Sequence, residues 1–160
     1  MRLLLLGCTG LVGRELVPTL MKDGHQITVV SRRSKTAVAW AKGLDLNWVQ
    51  ADPAQAVSWD KDAPLQQALA ASDGVVNLAG EPIAEQRWTP AHLQLLQNSR
   101  IATTRLLTAA MAALPTPPSV LVNASAVGFY GTSEDAAFVE SSAAGQDLSL
   151  IHISEPTRPY

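Results

Sequence analysis

The sequence has a single cysteine, few charged residues and no long apolar run. Cys8 is the only cysteine among 160 residues, so no internal disulfide can form, which suits a reducing compartment. Charged residues make up 16% of the chain and the net charge is −2, so the composition does not indicate a nucleic-acid-binding surface. No stretch approaches the roughly 20 apolar residues of a membrane-spanning helix. We therefore expect a cytoplasmic protein that binds neither nucleic acid nor membrane.

Strand-like and helix-like segments alternate along most of the chain, which is long enough for one domain with a sizeable core. The first predicted strand, 2–6, is almost wholly apolar, as expected for a parallel strand buried on both faces. Further strands are predicted at 26–30, 47–50, 57–60 and 119–124, and at 74–80, a range that includes the exit loop of its strand. Helices are predicted at 11–21, 64–71 and 90–114. This alternation predicts an α/β fold with a doubly wound parallel sheet. Trp40, Trp48 and Trp59 could stack on a ligand, but tryptophans more often fill core edges.

A glycine-rich turn joins the first predicted strand to the first helix. Gly7, Gly10 and Gly13 are spaced G-x-x-G-x-x-G, and each has its own expected role. Gly7 allows a sharp turn at φ > 0, Gly10 leaves room for a pyrophosphate, and Gly13 lets the helix pack closely. The N-terminus of the helix then favours a bound phosphate. The alternative is a tight structural turn. The cofactor-binding residues predicted here are Gly7, Thr9, Gly10, Leu11, Val12 and Gly13.

The end of the second predicted strand carries two arginines and no acidic residue. An acidic residue at this position would bind the ribose 2′-hydroxyl of NAD. The chain has Ser31, Arg32 and Arg33 instead, and two guanidinium groups can bind a 2′-phosphate through charge-assisted hydrogen bonds. The alternative is that both arginines are solvated loop charges. We predict that these three residues bind NADP in preference to NAD.

Small residues follow the strand that begins at residue 74. Leu78, Ala79 and Gly80 come at its carboxyl end, where open α/β sheets bind their ligands, and small side chains leave room for a cofactor. These three residues complete the predicted cofactor site. No metal site is predicted.

Several segments together carry a family resemblance, and they occur in the family's order. They are Asn77-Leu78-Ala79-Gly80-Glu81-Pro82-Ile83, Arg87-Trp88, Ser99-Arg100-Ile101, Thr103-Thr104 and Ser125-Ala126-Val127-Gly128-Phe129-Tyr130-Gly131. The chain resembles the epimerase-like branch of the extended short-chain dehydrogenase/reductase superfamily over about residues 1–147. That branch is also described as the NAD-dependent epimerase/dehydratase family, or nucleoside-diphosphate-sugar epimerase-like. The resemblance implies an NADP-binding Rossmann domain followed by a substrate-side region.

The chain departs from the superfamily in its catalytic residues. Extended short-chain dehydrogenases use a Ser/Thr and a Tyr-x-x-x-Lys motif, whose tyrosine moves a proton to or from the substrate hydroxyl. No Tyr-x-x-x-Lys occurs here, and the last lysine is Lys61. The usual Ser/Thr position falls on Ala126, one residue after Ser125, and Tyr130 belongs to the strand-exit loop. Ser125 and Tyr130 are therefore weak catalytic candidates.

Two hypotheses for function follow. The first is an NADP-binding fragment of an oxidoreductase or epimerase-like enzyme acting on an unknown small molecule, such as a nucleotide sugar. The second is a catalytically inactive nucleotide-binding sensor or regulatory module, which the missing Tyr-x-x-x-Lys motivates. The substrate, reaction direction and oligomeric state stay open.

The last twelve residues differ from what precedes them. Residues 149–160 contain Pro156 and Pro159 and resemble a translated sequencing adapter more than the family's next long helix. We expect residues 1–148 to form a partial Rossmann domain, incomplete at its C-terminal side, and 149–160 to be a non-native tail. A genuine short tail is the alternative.

Deleting residues 149–160 should leave the melting temperature and NADPH affinity unchanged within error. Ile151 and Ile153 are the only strongly apolar residues after Leu150, and the two prolines prevent helix continuation. Thermal denaturation and fluorescence titration of the shortened chain test this. A clear loss of melting temperature would make the segment part of the fold.

Overall fold

The computed structural model describes residues 1–82, 87, 89–125, 127–131, 135 and 137–143. Ala126 and the segment 149–160 lie outside these residues, so the expectations for them stay predictions. The strands are β1 (Arg2–Leu6), β2 (Gln26–Ser31), β3 (Asn47–Gln50), β4 (Gly74–Asn77) and β5 (Val120–Asn123). The α-helices are α1 (Leu11–Lys22), α2 (Pro64–Ala70) and α3 (Pro90–Ala112).

The five described strands form one parallel sheet in the order β3-β2-β1-β4-β5. The first strand of the sequence is thus the central one, and the chain winds outward from it in both directions. In the register of the sheet, Leu4 lies between Thr28 of β2 and Val75 of β4. This topology confirms the predicted Rossmann-type doubly wound sheet.

Alternate side chains of β1 point to opposite faces of the sheet and belong to two separate cores. Leu4 and Leu6 pack with a cluster that includes residues of α2 and α3, whereas Leu3 and Leu5 pack with a cluster that includes Val17 of α1. Leu4, Leu5 and Leu6 are fully buried. The uninterrupted leucine run is therefore required because helices cover both faces of the central strand.

Most predicted elements are present, with ends that coincide or differ by at most three residues. Helix α1 ends at Lys22 and is followed by the cap residue Asp23 and by Gly24, which has a φ of +80°, as the sequence indicates. One prediction is wrong, because the expected strand at 57–60 is a 3-10 helix, Ala56–Trp59. There the Ser58 hydroxyl donates to the Asp52 carbonyl and the Trp59 indole donates to the Pro53 carbonyl. These local bonds compact the segment instead of leaving it extended.

The tryptophans predicted to fill core edges do so. Trp59 packs against the α2–α3 side of the core, and Trp40 and Trp48 pack against the α1 side. None of the three lines the cleft described below. Among the described residues, no helix combines the length and apolarity needed to cross a membrane.

Asp73 links the amino-terminal ends of three strands. The Asp73 carboxylate accepts from the Arg2 guanidinium at 2.6 Å and from the Arg2 backbone N–H at 2.7 Å. The Asp73 carbonyl accepts from the Ser119 backbone N–H and hydroxyl, immediately before β5. The hydrogen bond from the Arg2 side chain, followed by that from its backbone, lowers the pKa of Asp73 to about 2. Asp73 thus aligns β1, β4 and β5 at this end of the sheet.

The Asp73→Asn variant should lose stability relative to the parent chain above about pH 4, and the difference should shrink as the pH falls to about 2. The sign follows because a carboxyl group whose pKa is lower in the folded state stabilises the fold only while it is ionised there. Urea unfolding across this pH range measures the difference. In an Arg2→Gln background the pH dependence should be largely lost, and its persistence there would contradict the assigned cause.

Candidate active site

A cleft of about 750 Å³ opens at the carboxyl ends of the central strands. It is lined by the loops that follow β1, β2, β3 and β4 and by one face of α3. Its lining residues are Gly7, Thr9, Gly10, Val30, Ser31, Arg32, Arg33, Asp52, Pro53, Ala54, Gln55, Ala79, Gly80, Glu81, Pro82, Leu95, Asn98, Ser99, Ala102 and Thr103. Parallel strands place these loops together because all their carboxyl ends lie at one edge of the sheet.

Gly7 makes the turn out of β1 and approaches the loop after β4 very closely. Its φ is +74°, a conformation that side chains with a Cβ rarely adopt. A Cβ at Gly7 would also overlap the backbone of Leu78 and Ala79. The predicted positive φ is confirmed, and the close approach adds a second requirement for glycine that the sequence did not reveal.

Gly10 and Gly13 differ in what surrounds them. A Cβ at Gly13 would overlap the backbone of Cys8, so this glycine permits the close approach of α1 to the turn. A Cβ at Gly10 would meet no atom within 4 Å, and Gly10 lines the cleft. Helix α1 begins after Gly10 with no side-chain cap and no acidic residue in its first turn. This helix end therefore offers backbone N–H groups to an anion.

The exit of β2 is held by three hydrogen bonds to its backbone. The Arg33 N–H donates to the Ser31 hydroxyl at 3.0 Å, the Trp48 indole donates to the Arg33 carbonyl at 2.9 Å, and the Gln50 amide donates to the Arg32 carbonyl at 3.2 Å. These bonds engage the backbone and leave both guanidinium groups out of this network. The Arg33 side chain has no partner among the residues the structure describes.

A buried amide shapes the exit of β4. Asn77, which is 3% exposed, donates to the Asn123 side chain at 2.7 Å and to the Thr104 hydroxyl at 3.2 Å. Its amide oxygen accepts from the Ala79 backbone N–H at 3.1 Å. This network joins β4, β5 and α3, and it sets the path of the small-residue loop over Gly7.

The β4 loop continues into Glu81, whose carboxylate reaches the exit of β2. It accepts from the Arg32 guanidinium at 3.1 Å. The Glu81 backbone N–H donates to the Ser99 hydroxyl and its carbonyl accepts from the Arg100 guanidinium, both at 2.9 Å. Burial lowers the pKa of Arg100, and the nearby Glu81 carboxylate opposes that shift.

The structure brings most of the predicted cofactor residues to one cleft. Eight line it: Gly7, Thr9, Gly10, Ser31, Arg32, Arg33, Ala79 and Gly80. Four do not: Leu11 and Val12 are exposed at the start of α1, Gly13 is buried beneath the turn, and Leu78 is half-buried behind the loop.

Sequence reasoning missed two groups of lining residues. Residues 52–55 follow β3 and line the cleft. Their position after a parallel strand could have predicted this, because ligands bind at the carboxyl ends of such strands. The α3 residues that line the cleft include Ser99 and Thr103, which lay within motifs that carried the family resemblance, but nothing in the sequence assigned them to the cleft. Glu81 lay within a motif that carried the family resemblance, but nothing in the sequence pointed to its contact with Arg32.

Neither weak catalytic candidate lines the cleft. Ser125 is exposed beyond β5. Tyr130 stacks on Phe138, with ring centroids 5.5 Å apart, and meets Phe129 edge-on. Burial raises the pKa of the Cys8 thiol to about 12, which makes it a poor nucleophile. Within the described part of the chain, no group of three or more His, Cys, Asp or Glu side chains could hold a metal ion.

Several known proteins are similar to this chain. The model of the NAD dependent epimerase/dehydratase family matches residues 3–160. The chain is 36% identical over 143 residues to the Arabidopsis thaliana epimerase family protein SDR39U1 homolog, chloroplastic. A crystal structure of human epimerase family protein SDR39U1 with NADPH is 32% identical, with a TM-score of 0.68 over 94% of this chain. A short-chain dehydrogenase/reductase superfamily protein from Agrobacterium tumefaciens with bound NAD is 21% identical, with a TM-score of 0.69 over 95% of this chain.

The chain spans less than half the length of these proteins. The match covers 88% of this chain but 39% of the Arabidopsis protein, 46% of the human chain and 42% of the bacterial chain. The range matched by the family model includes residues 149–160. The non-native origin of that segment stays a prediction, which the deletion experiment tests.

Proposed function

Because this chain belongs to the NAD dependent epimerase/dehydratase family, we propose that it is the cofactor-binding part of an oxidoreductase or epimerase that uses NADP. The substrate is a small molecule, and nucleotide sugars are the class to test first. The proposal rests on one observation: the glycine turn, the arginine pair after β2 and the small-residue loop after β4 all open into a single cleft.

The residues of the cleft fit a dinucleotide. A pyrophosphate needs close backbone approach and free N–H groups, and the open space at Gly10 and the uncapped start of α1 supply both. The volume of about 750 Å³ lies within the usual range for sites that bind small molecules and cofactors. Because Gly10 lines the cleft and a Cβ there would meet no atom within 4 Å, we expect a larger side chain at this position to extend into this space.

The preference for NADP is supported by charge at the exit of β2. The strand ends in Ser31 and continues into two arginines, so that strand end supplies no carboxylate for a ribose 2′-hydroxyl. Two guanidinium groups at the mouth of the cleft suit a phosphate dianion. The crystal structure of the human relative contains NADPH.

When bound, NADP would supply the hydride chemistry, and the residues of this chain would orient it. The glycine turn and the start of α1 would hold the pyrophosphate, and Arg32 and Arg33 would hold the 2′-phosphate. The Asn77 network would fix the β4 loop beneath the rest of the cofactor.

A cofactor sensor without turnover is the competing proposal. It is favoured by the positions of Ser125 and Tyr130, both of which lie away from the lining of the cleft. The two proposals differ in turnover, so the full-length protein should be assayed with NADPH and a panel of nucleotide sugars and carbonyl compounds. NADPH consumption that depends on substrate supports the enzyme, and saturable NADPH binding without consumption supports the sensor.

The Gly10→Val variant should fold normally and lose NADPH binding. Gly10 has a φ of −91° and ψ of −163°, which valine adopts readily, while its side chain would enter the pyrophosphate position. Fluorescence titration measures binding and thermal denaturation measures folding. Gly13→Val is the contrasting control, because its side chain would overlap the Cys8 backbone and should destabilise the fold. Unchanged NADPH affinity in folded Gly10→Val would refute the site.

Replacing both Arg32 and Arg33 with alanine should weaken NADPH binding far more than NADH binding. Each charge-assisted contact to the 2′-phosphate should contribute about 1.5–3 kcal/mol, or roughly 10- to 100-fold in affinity. Parallel titrations with the two cofactors measure the difference. Equal weakening of both would mean that the arginines do not bind the phosphate, and tighter NADH binding by the parent chain would refute the choice of NADP.

A further inference from the structure

The cleft carries one ion pair across its mouth. Arg32 follows β2 and Glu81 follows the loop after β4, and these two strands lie on opposite sides of β1. The 3.1 Å contact between their side chains therefore spans the exit of β1, where the glycine turn begins. A carboxylate thus stands beside the guanidinium that the proposed function assigns to the 2′-phosphate.

Glu81 is held in place, whereas Arg32 is free to move. The Glu81 side chain is 18% exposed, and its backbone is bonded on both sides by Ser99 and Arg100 of α3. The absence of a side chain at Gly80 leaves room for the Arg100 guanidinium there, because a Cβ would lie 2.9 Å from its Cζ. The Arg32 side chain is 62% exposed and contacts Glu81 through one nitrogen. If the pair opens, it is Arg32 that moves.

We propose that Glu81 determines cofactor specificity by competing with the ribose 2′-phosphate for Arg32. This inference rests on the proposed function. NADP carries a phosphate dianion at this position, so its binding must draw the Arg32 guanidinium away from Glu81 or place the phosphate beside the carboxylate. NAD carries a hydroxyl there and leaves the ion pair intact. Glu81 therefore lowers the affinity for NADP but not for NAD, and so reduces the preference for NADP that the two arginines create.

Arg33 does not take part in this competition, because it is not paired with Glu81. Its guanidinium has no partner among the described residues, so it can meet a 2′-phosphate without breaking an existing contact. Arg32 must first give up Glu81. The two arginines are therefore unequal, and removing the Glu81 charge should act through Arg32 alone.

The experiment is the Glu81→Gln variant of the 160-residue chain, titrated with NADPH and with NADH. Glutamine keeps the side-chain length and the backbone bonds to Ser99 and Arg100 while removing the charge. NADPH affinity should rise about two- to fivefold, the range expected from a partly exposed ion pair, and NADH affinity should change less than about 1.5-fold. Glu15→Gln is the matched control, because it removes the same charge from an ion pair with Arg14 outside the cleft. It should change neither affinity.

The same substitution in an Arg32→Ala background tests the mechanism. The gain in NADPH affinity should disappear there, because no guanidinium is left to release. A gain that persists without Arg32, an equal gain for NADH, or an unchanged or lower NADPH affinity in Glu81→Gln would each overturn the proposal. If Glu81→Gln lowers the melting temperature, Glu81→Ala keeps the same backbone bonds and gives the same comparison.

The two proposals fail in different ways. If the parent chain binds neither cofactor, the proposed function fails and the role of Glu81 fails with it. If the parent chain binds NADPH and Gly10→Val does not, the proposed function stands. A Glu81→Gln variant without a selective gain for NADPH then refutes only the competition for Arg32.

Discussion

The cleft depends on the contact between the Gly7 turn and the loop after β4. The backbone of Gly7 lies so close to Leu78 and Ala79 that any side chain at residue 7 would overlap them. This contact brings the exits of β1 and β4 together and leaves the open side of the turn, at Gly10, facing the cleft. It is maintained from below by Asn77, whose amide bonds to Thr104, Asn123 and Ala79 fix the β4 loop. A buried amide with several partners is costly to disturb, so these bonds hold the loop in its position over Gly7.

The charged side chains of the cleft differ in sign and in freedom of movement on its two sides. Arg32 and Arg33 project from a strand exit whose backbone is tied to Trp48 and Gln50, so the side chains and not the backbone can adapt to a ligand. Glu81 is fixed on the opposite side of the cleft by α3. Under the proposed function, the preference between NADP and NAD would depend on the balance among these three charges, more than on the two arginines alone.

Much of the fold could be predicted from sequence because its signals are local. The leucines of β1 indicate a strand buried on both faces, the Asp23-Gly24 pair ends α1, and proline begins α2 and α3. The segment 56–59 could not be predicted in the same way. Its β-branched and aromatic residues favour a strand, but the hydrogen bonds of Ser58 and Trp59 to the preceding loop fold it into a 3-10 helix.

The sequence by itself determined the positions of the strand exits and the residue types at each one: the glycines after β1, the arginines after β2 and the small residues after β4. These depend on periodicity and on the steric properties of glycine, which act between neighbours in the chain. Only the tertiary structure decided which groups meet across the cleft. Arg32 and Glu81 are 49 residues apart, and Asn77 and Asn123 are 46 residues apart. Such pairs arise from the strand order and from the packing of α3, and no local pattern encodes either one.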